Sequence, residues 1–294
     1  MKNKNGSENQ IQYMPIYMSI GLSIGMAIGA ATNNIPICMC LGMSIGVALG
    51  AALDAANRKK SGNAPEENED ELMEEKKPAL EKMSDFFEKR LDGYDKHMMT
   101  NIESATEFYP FTARLLPAAE NCNILDLGCG TGLELEEYYA LNPSAKVTGI
   151  DLSKGMLEAL KKKFTDKEIT LIEGSYFDVP LGEALFDAAV SVESLHHFTK
   201  EEKVPLYTKL HKALKNDGYF ILTDYFALSD EEERLHRQTL NDLKAEQGIT
   251  DTEFYHYDTP LTVEHEKEAL LDAGFSSVEV LGHWGATYTI RAVK

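Results

Sequence analysis

Asp126, the glycines at 128, 130 and 132, and Asp151 nineteen residues beyond the last of them are the residues whose types and spacing most directly imply chemistry. They lie in N-I-L-D-L-G-C-G-T-G (123–132) and V-T-G-I-D-L-S (147–153). An apolar run that ends in an acid and then alternates glycines reads as a strand turning tightly into a helix. Glycine serves there because it reaches positive φ without strain and lets a ligand approach the backbone. The free amides of the new helix face whatever lies above the turn. An acid about twenty residues on, at the end of a second strand, is placed to accept hydrogen bonds from ribose hydroxyls. These segments describe a site for an adenosine-containing cofactor.

The glycine spacing separates two cofactor classes. A dinucleotide turn follows G-x-G-x-x-G, whose last glycine lets helix and strand pack closely. Here the pattern is D-x-G-x-G-x-G, and Leu133 stands where the dinucleotide motif has its last glycine. Over residues 80–294 the chain resembles the class I methyltransferases that use S-adenosyl-L-methionine (SAM). The resemblance rests on that glycine turn, on G-I-D-L-S (149–153), E-G-S-Y-F-D-V-P-L (173–181), F-D-A-A-V-S-V-E-S-L-H-H-F (186–198) and L-K-N-D-G-Y-F-I-L-T-D (214–224), in this order.

The resemblance implies an α/β, Rossmann-like seven-stranded sheet of order 3-2-1-4-5-7-6, the seventh strand antiparallel. It places Gly128, Gly130 and Gly132 along the methionine part of the cofactor, with Asp126 shaping the turn. Asp151 would hold the ribose, Leu152 and Met156 would pack on the adenine, and Ser175 and Tyr176 would lie at its edge. Ser175 departs from the family pattern, which has an acid there; Ser175 could accept a weaker bond, or Asp178 could substitute. Glu193, a further cofactor contact, and the catalytic candidates His196 and His197 fall just past strand four, on the edge where open α/β sheets bind ligands. A histidine near neutrality can take a proton from an acceptor; packing of the loop is the competing role. Tyr94, in L-D-G-Y-D, resembles the family segment that folds over the cofactor, and equally reads as a half-buried surface tyrosine. F-Y-H-Y-D (254–258), with Tyr225 and Trp284, either walls an acceptor pocket or packs the insertion against the sheet, and packing is the expectation for most of its members.

Composition bounds the rest. The net charge of −19 is uneven, +3 over residues 1–60 and −22 over the remainder. So acidic a body lacks the electrostatic footprint of a phosphate-backbone binder, which disfavours nucleic-acid substrates. The four cysteines show no C-x-x-C spacing and no clustering with histidines, so no metal is expected, and the setting reads as reducing.

Residues 13–32 and 35–53 carry no charge and are close to the length of a bilayer crossing. They form a repeat: S-I-G-M-A-I-G-A-A (23–31) matches S-I-G-V-A-L-G-A-A (44–52) at seven of nine positions. Glycines every four residues line one helical face with a groove in which two backbones pack closely. The stretch resembles glycine-zipper segments of small membrane proteins. Lys2 and Lys4 before it, and Arg58, Lys59 and Lys60 after it, put both ends on the cytoplasmic side. A cleaved signal peptide and a self-associating surface segment are the alternatives. The expected organisation is a transmembrane hairpin over 1–56, able to self-associate through its Gly-x-x-x-Gly faces, an acidic linker over 57–77 and a methyltransferase domain over 78–294.

Stepwise apolar runs then position the site. Helices are expected over about 78–117, 132–141, 153–164, 200–215, 229–248 and 262–272. Strands are expected over 123–128, 146–150, 168–173, 186–192 and 218–224, with a closing hairpin. Such alternation implies a parallel sheet clothed by helices. Two functions stay open: methyl transfer to a small-molecule or lipid-like acceptor at a membrane, or a tethered SAM-binding scaffold. A carboxy-SAM tRNA-modifying use is weaker, since it calls for a basic surface.

Overall fold

The computed structural model describes residues 79–294. The expected hairpin and linker lie outside the described residues, and among those described no helix is long and apolar enough to cross a membrane. Three short helices, α1 (Met83–Lys89), α2 (Tyr94–Asn101) and α3 (Ala105–Leu115), lead into the alternating part. One continuous helix over about 78–117 was expected. It breaks at Gly93 and Ser104, both with left-handed backbone, and Gly93 reaches its φ of 83° without a side-chain penalty.

The alternating part runs β1 (Asn123–Leu127), α4 (Leu133–Leu141), β2 (Lys146–Asp151), α5 (Lys154–Lys163), β3 (Ile169–Glu173) and β4 (Phe186–Val192). A single helical turn at Leu195–His197 precedes α6 (Lys200–Ala213) and β5 (Leu214–Tyr225). Then come α7 (Asp230–Glu246), α8 (Val263–Asp272), β6 (Ser277–Trp284) and β7 (Thr287–Val293). Strand β5 begins four residues earlier than its apolar run, because Leu214 already pairs with Phe186.

The sheet has the order β3-β2-β1-β4-β5-β7-β6, with β7 antiparallel to both β5 and β6. This is the Rossmann-like methyltransferase fold. The central strands β1 and β4 are apolar and buried almost throughout, as strands covered on both faces must be. Their alternating side chains feed two cores. Leu125, Leu127 and Ala189 pack with Leu206 and Leu210 of α6 and Leu270 of α8. Ile124, Ala188 and Val190 pack with Phe108 of α3, Tyr138 of α4 and Leu160 of α5. With both faces filled, the carboxyl ends of β1, β2, β4 and β5 remain as the edge available to a ligand.

Beneath α6 and α8 lies a buried ion pair. Lys203 Nζ donates to Glu266 Oε2 at 2.6 Å, and Tyr207 donates to the other carboxylate oxygen. Both charges are almost fully out of water, Lys203 at 2% and Glu266 at 0% side-chain exposure. Removing one partner leaves the other charged and unsolvated, a loss of about 3–5 kcal/mol. Glu266→Ala is therefore expected to destabilise the fold by about that amount, and Glu266→Gln, whose amide oxygen keeps one of the two acceptor positions, by less; urea unfolding of the two variants measures the difference.

Candidate active site

The turn after β1 is built as the glycine spacing requires. Gly128, Gly130 and Gly132 all have positive φ, of 76°, 47° and 74°. A side chain at Gly128 would meet Ser194 Oγ at 2.1 Å, so the chain there passes hard against the end of β4. At Gly130 a side chain would meet nothing within 4 Å, which leaves open space over the turn. Gly132 has another duty. Its missing side chain accommodates Phe164 and Leu160 of the α5 region, and it does not line the cavity above the turn.

Asp151 closes this turn onto the next. Its Oδ2 accepts the Gly130 N–H and its Oδ1 the Ser153 N–H, each at 2.8 Å. Ser153 in turn caps α5 by accepting the Met156 N–H, so I-D-L-S folds into strand end, acceptor and cap in four residues. Burial raises the Asp151 pKa, and the N–H donors of Ser153 and Gly130 counter it. A carboxylate has about four acceptor sites, so two remain for ribose hydroxyls. Asp126 lies deeper, its carboxylate buried without a hydrogen-bond partner. Burial, and then the neighbouring Glu134 carboxyl, raise its pKa well above the carboxylate range.

Two cavities open along this edge. A narrow one of about 50 Å³ is lined by Gly128, Gly130, Asp151, Leu152, Met156 and Tyr176. A wide one of about 920 Å³ is lined by His196, Tyr225, His256, Asp258, Trp284 and Thr287 among others. Phe87, Tyr94, Glu193 and His197 belong to the walls of both. Ser175 reaches neither: its hydroxyl accepts the Phe177 N–H and shapes a local turn. Asp178 is exposed and also absent from both walls.

The narrow cavity is far below the roughly 300 Å³ of a small-molecule pocket, and its roof explains why. Met83 and Phe87 of α1 and Tyr94 of α2 cover it. Carboxylates that sequence reasoning missed fasten that roof. Glu88 accepts from Ser153 Oγ at 2.8 Å and from the Gly155 N–H at 3.0 Å. Asp95 accepts from Thr131 Oγ1 at 2.5 Å and from Lys163 Nζ at 2.9 Å. These contacts join the roof to the same two turns that line the cavity.

The wide cavity carries the histidines. His196 Nδ1 lies 2.5 Å from Asp224 Oδ1, while Asp224 Oδ2 accepts the Leu195 N–H. Burial works to lower the His196 pKa, but the Asp224 carboxylate outweighs it and pushes the imidazole up to about 9. His197 Nδ1 lies 3.1 Å from Asp258 Oδ1; burial, and then the charge of His196, pull its pKa down. Burial pushes Glu193 up to about 7. Glu193 also holds a left-handed φ of 49°, a conformation disfavoured for a residue with a side chain and concentrated at functional sites. Within F-Y-H-Y-D, Phe254 packs on Phe177 and Phe198 as a core residue. His256 stacks on Phe86 and, with Asp258, faces the wide cavity. An acid ending β5 beside the β4 edge was the one available signal for Asp224. Asp258 ends F-Y-H-Y-D, a segment that stood out in the sequence for its aromatics and not for this acid.

Residues 124–218 match the family model described as a methyltransferase domain. The chain carries a SAM-dependent methyltransferase domain. Among the relatives of this domain, a carboxy-S-adenosyl-L-methionine synthase of Nautilia profundicola is 27% identical, over 58% of this chain and 76% of the relative. A bifunctional biotin-biosynthesis protein of Teredinibacter turnerae is 28% identical over 58% of this chain, which spans only 30% of that longer protein. The solved structure of a putative O-methyltransferase from Nostoc punctiforme superposes with a TM-score of 0.52 at 25% identity, covering 71% of this chain and 59% of the other. Residues 7–56, outside the methyltransferase domain, match the model of a glycine zipper membrane protein.

The site residues fit SAM on their own terms. A glycine turn has open space above it, a carboxylate keeps spare acceptor capacity, and Leu152, Met156 and Tyr176 supply apolar walls. Asp151→Ala removes the acceptor and unfastens the Gly130 amide. SAM affinity is expected to fall about 10- to 100-fold, the worth of one or two hydrogen bonds to a charged group. Isothermal titration with S-adenosylhomocysteine measures it, with circular dichroism as the check on folding.

Proposed function

We propose that this chain transfers the methyl group of SAM to a small-molecule or lipid-like acceptor held in the wide cavity. The observation that carries the reading is the wall of Phe87, Tyr94, Glu193 and His197 common to the two cavities. A ligand seated over the glycine turn and one seated in the wide cavity would meet at that wall. When bound, SAM supplies a methyl group already activated on a sulfonium, open to in-line displacement.

The rest of the work is positioning, which suits a site of packed walls rather than of a protein nucleophile. Gly128, Gly130 and Asp151 bind one reactant. Tyr94 and Phe87 close over both and exclude water. The acceptor must give up a proton, and Glu193 and His197 stand where it would be released. His196, held by Asp224, orients the acceptor from the far side.

The N-terminal residues extend this reading. The match to a glycine zipper membrane protein and the basic flanks support a hairpin over 1–56 in the cell membrane. The acidic linker over 57–77 would then hold the domain of 78–294 in the cytoplasm at the membrane face. Pairing of the Gly-x-x-x-Gly faces supports self-association.

Incubation with tritium-labelled SAM and a cell extract tests the enzyme. Glu193→Gln and His197→Ala are each expected to lower kcat about 10²- to 10⁴-fold, with SAM affinity unchanged within a few-fold. Absence of labelled product from wild-type protein that binds SAM would sink the catalytic reading and leave a SAM-binding scaffold.

A further inference from the structure

Three potential metal ligands converge in the wall of the wide cavity, although the sequence suggested none. They are Nε2 of His196, Nδ1 of His197 and Oδ1 of Asp258. The ligand-bearing atoms of these residues lie within 4.8 Å of one another. Asp258 Oδ1 is 3.1 Å from His197 Nδ1 and 3.6 Å from His196 Nε2. Ligands bound to one zinc-class ion at about 2.0–2.1 Å in a tetrahedral array stand about 3.3 Å apart. The two measured separations fall on either side of that spacing.

Hydrogen bonding accounts for only part of this arrangement. His197 Nδ1 is within hydrogen-bond reach of Asp258 and, at 3.3 Å, of the Tyr257 carbonyl oxygen, whereas His196 Nε2 approaches the same Asp258 oxygen at 3.6 Å, an ion-pair distance beyond hydrogen-bond reach. The orientation of His196 is fixed from behind. Its Nδ1 faces Asp224, whose oxygens also accept the Leu195 and Tyr225 N–H groups at 2.8 and 3.0 Å. With its Nδ1–H held on the Asp224 carboxylate, His196 presents Nε2, whose proton a cation displaces on binding. Both histidines are buried, whereas Asp258 is partly open to a cavity of about 920 Å³. Three protein ligands with one open side is the layout of a reactive site rather than a structural one.

We propose that His196, His197 and Asp258 bind one first-row divalent cation, whose open position takes an oxygen of the methyl acceptor. Two imidazoles and one carboxylate favour zinc, iron(II) or manganese(II) over magnesium or calcium, which prefer all-oxygen shells. The acceptor class this selects is a hydroxyl or phenol able to reach the cation with its oxygen. Here the inference rests on the methyl transfer proposed above. The acceptor's O–H proton passes to the Glu193 carboxylate, the oxygen forms the bond to the methyl carbon, and the electron pair of the broken carbon–sulfur bond stays on sulfur. His197 then serves as a ligand, and Glu193 alone receives the proton.

The test uses untagged full-length protein in detergent, stripped with chelator and titrated with Co²⁺ alone. One equivalent is expected to bind with visible ligand-field bands and to be displaced by Zn²⁺. Asp258→Asn and His196→Ala should each weaken binding at least 100-fold, and Asp224→Asn about 10- to 100-fold through loss of ligand orientation. SAM affinity within a few-fold of wild type confirms that each variant is folded. His97→Ala, in the same cavity but outside the cluster, should keep the full equivalent. Absence of stoichiometric Co²⁺ uptake by wild-type protein, or uptake unchanged in both ligand variants, overturns the site. Methyl transfer undiminished in stripped protein overturns the cation's part in the reaction while leaving the methyltransferase intact. Stoichiometric Co²⁺ uptake without any methyl transfer upholds the site and removes the methyltransferase reading instead.

Discussion

Everything at the ligand edge depends on one carboxylate. Asp151 ends β2 and accepts the backbone N–H groups of Gly130 and Ser153, so it joins the turn after β1 to the start of α5. A buried acceptor with two charge-assisted bonds fixes its partners more firmly than a neutral hydrogen bond would. The first turn thereby keeps its positive-φ glycines and α5 keeps its cap. The roof follows from the same anchor, because Glu88 reaches the Ser153 and Gly155 end of α5 while Asp95 reaches Thr131 beside Gly130. Cofactor turn and lid are one hydrogen-bonded unit.

The acids of this edge are arranged by depth. Asp126 and Glu134 are buried together, and burial raises the pKa of each above the usual carboxylate value. Asp224 and Asp258 are held ionised against their burial by the imidazoles beside them. Asp151 and Glu193 lie between these extremes. The result is a cavity rich in acceptors but not in uncompensated charge. A chain with a net charge of −19 requires such pairing where carboxylates crowd around one site.

The fold was largely legible because the sheet's demands are written locally. Buried parallel strands need apolar runs, as in N-I-L-D-L and F-D-A-A-V-S-V, and their helices need stops and caps of recognisable type. The missed break at Gly93 shows the limit. L-D-G-Y-D carried a turn signal, but the surrounding polar sequence had no apolar period strong enough to reveal two separate helices. The turn at Gly128 and Gly130 and its tie to Asp151 were legible for the same reason as the strands, since backbone geometry there demands particular residue types. Ser175 and Gly132 were placed by analogy of position. In the structure the Ser175 hydroxyl accepts a hydrogen bond from its own loop, and a side chain at Gly132 would meet Phe164 and Leu160.

The sequence by itself determined the order of elements, the strand-to-helix turns and the acid that joins them, because each is a short-range consequence of glycine, apolar period and cap. It also set His196 and His197 at the end of β4. Only the tertiary structure decided what those histidines face. Asp224 comes from the neighbouring strand and Asp258 from a segment about sixty residues away, and neither spacing shows that the two acids meet the histidines. The shared wall of the two cavities is equally nonlocal, since Phe87 and Tyr94 reach it from helices that precede the sheet. Local backbone constraint can be read from residue types along the chain. Convergence of side chains from distant elements exists only once the sheet has packed and brought its carboxyl ends to one edge.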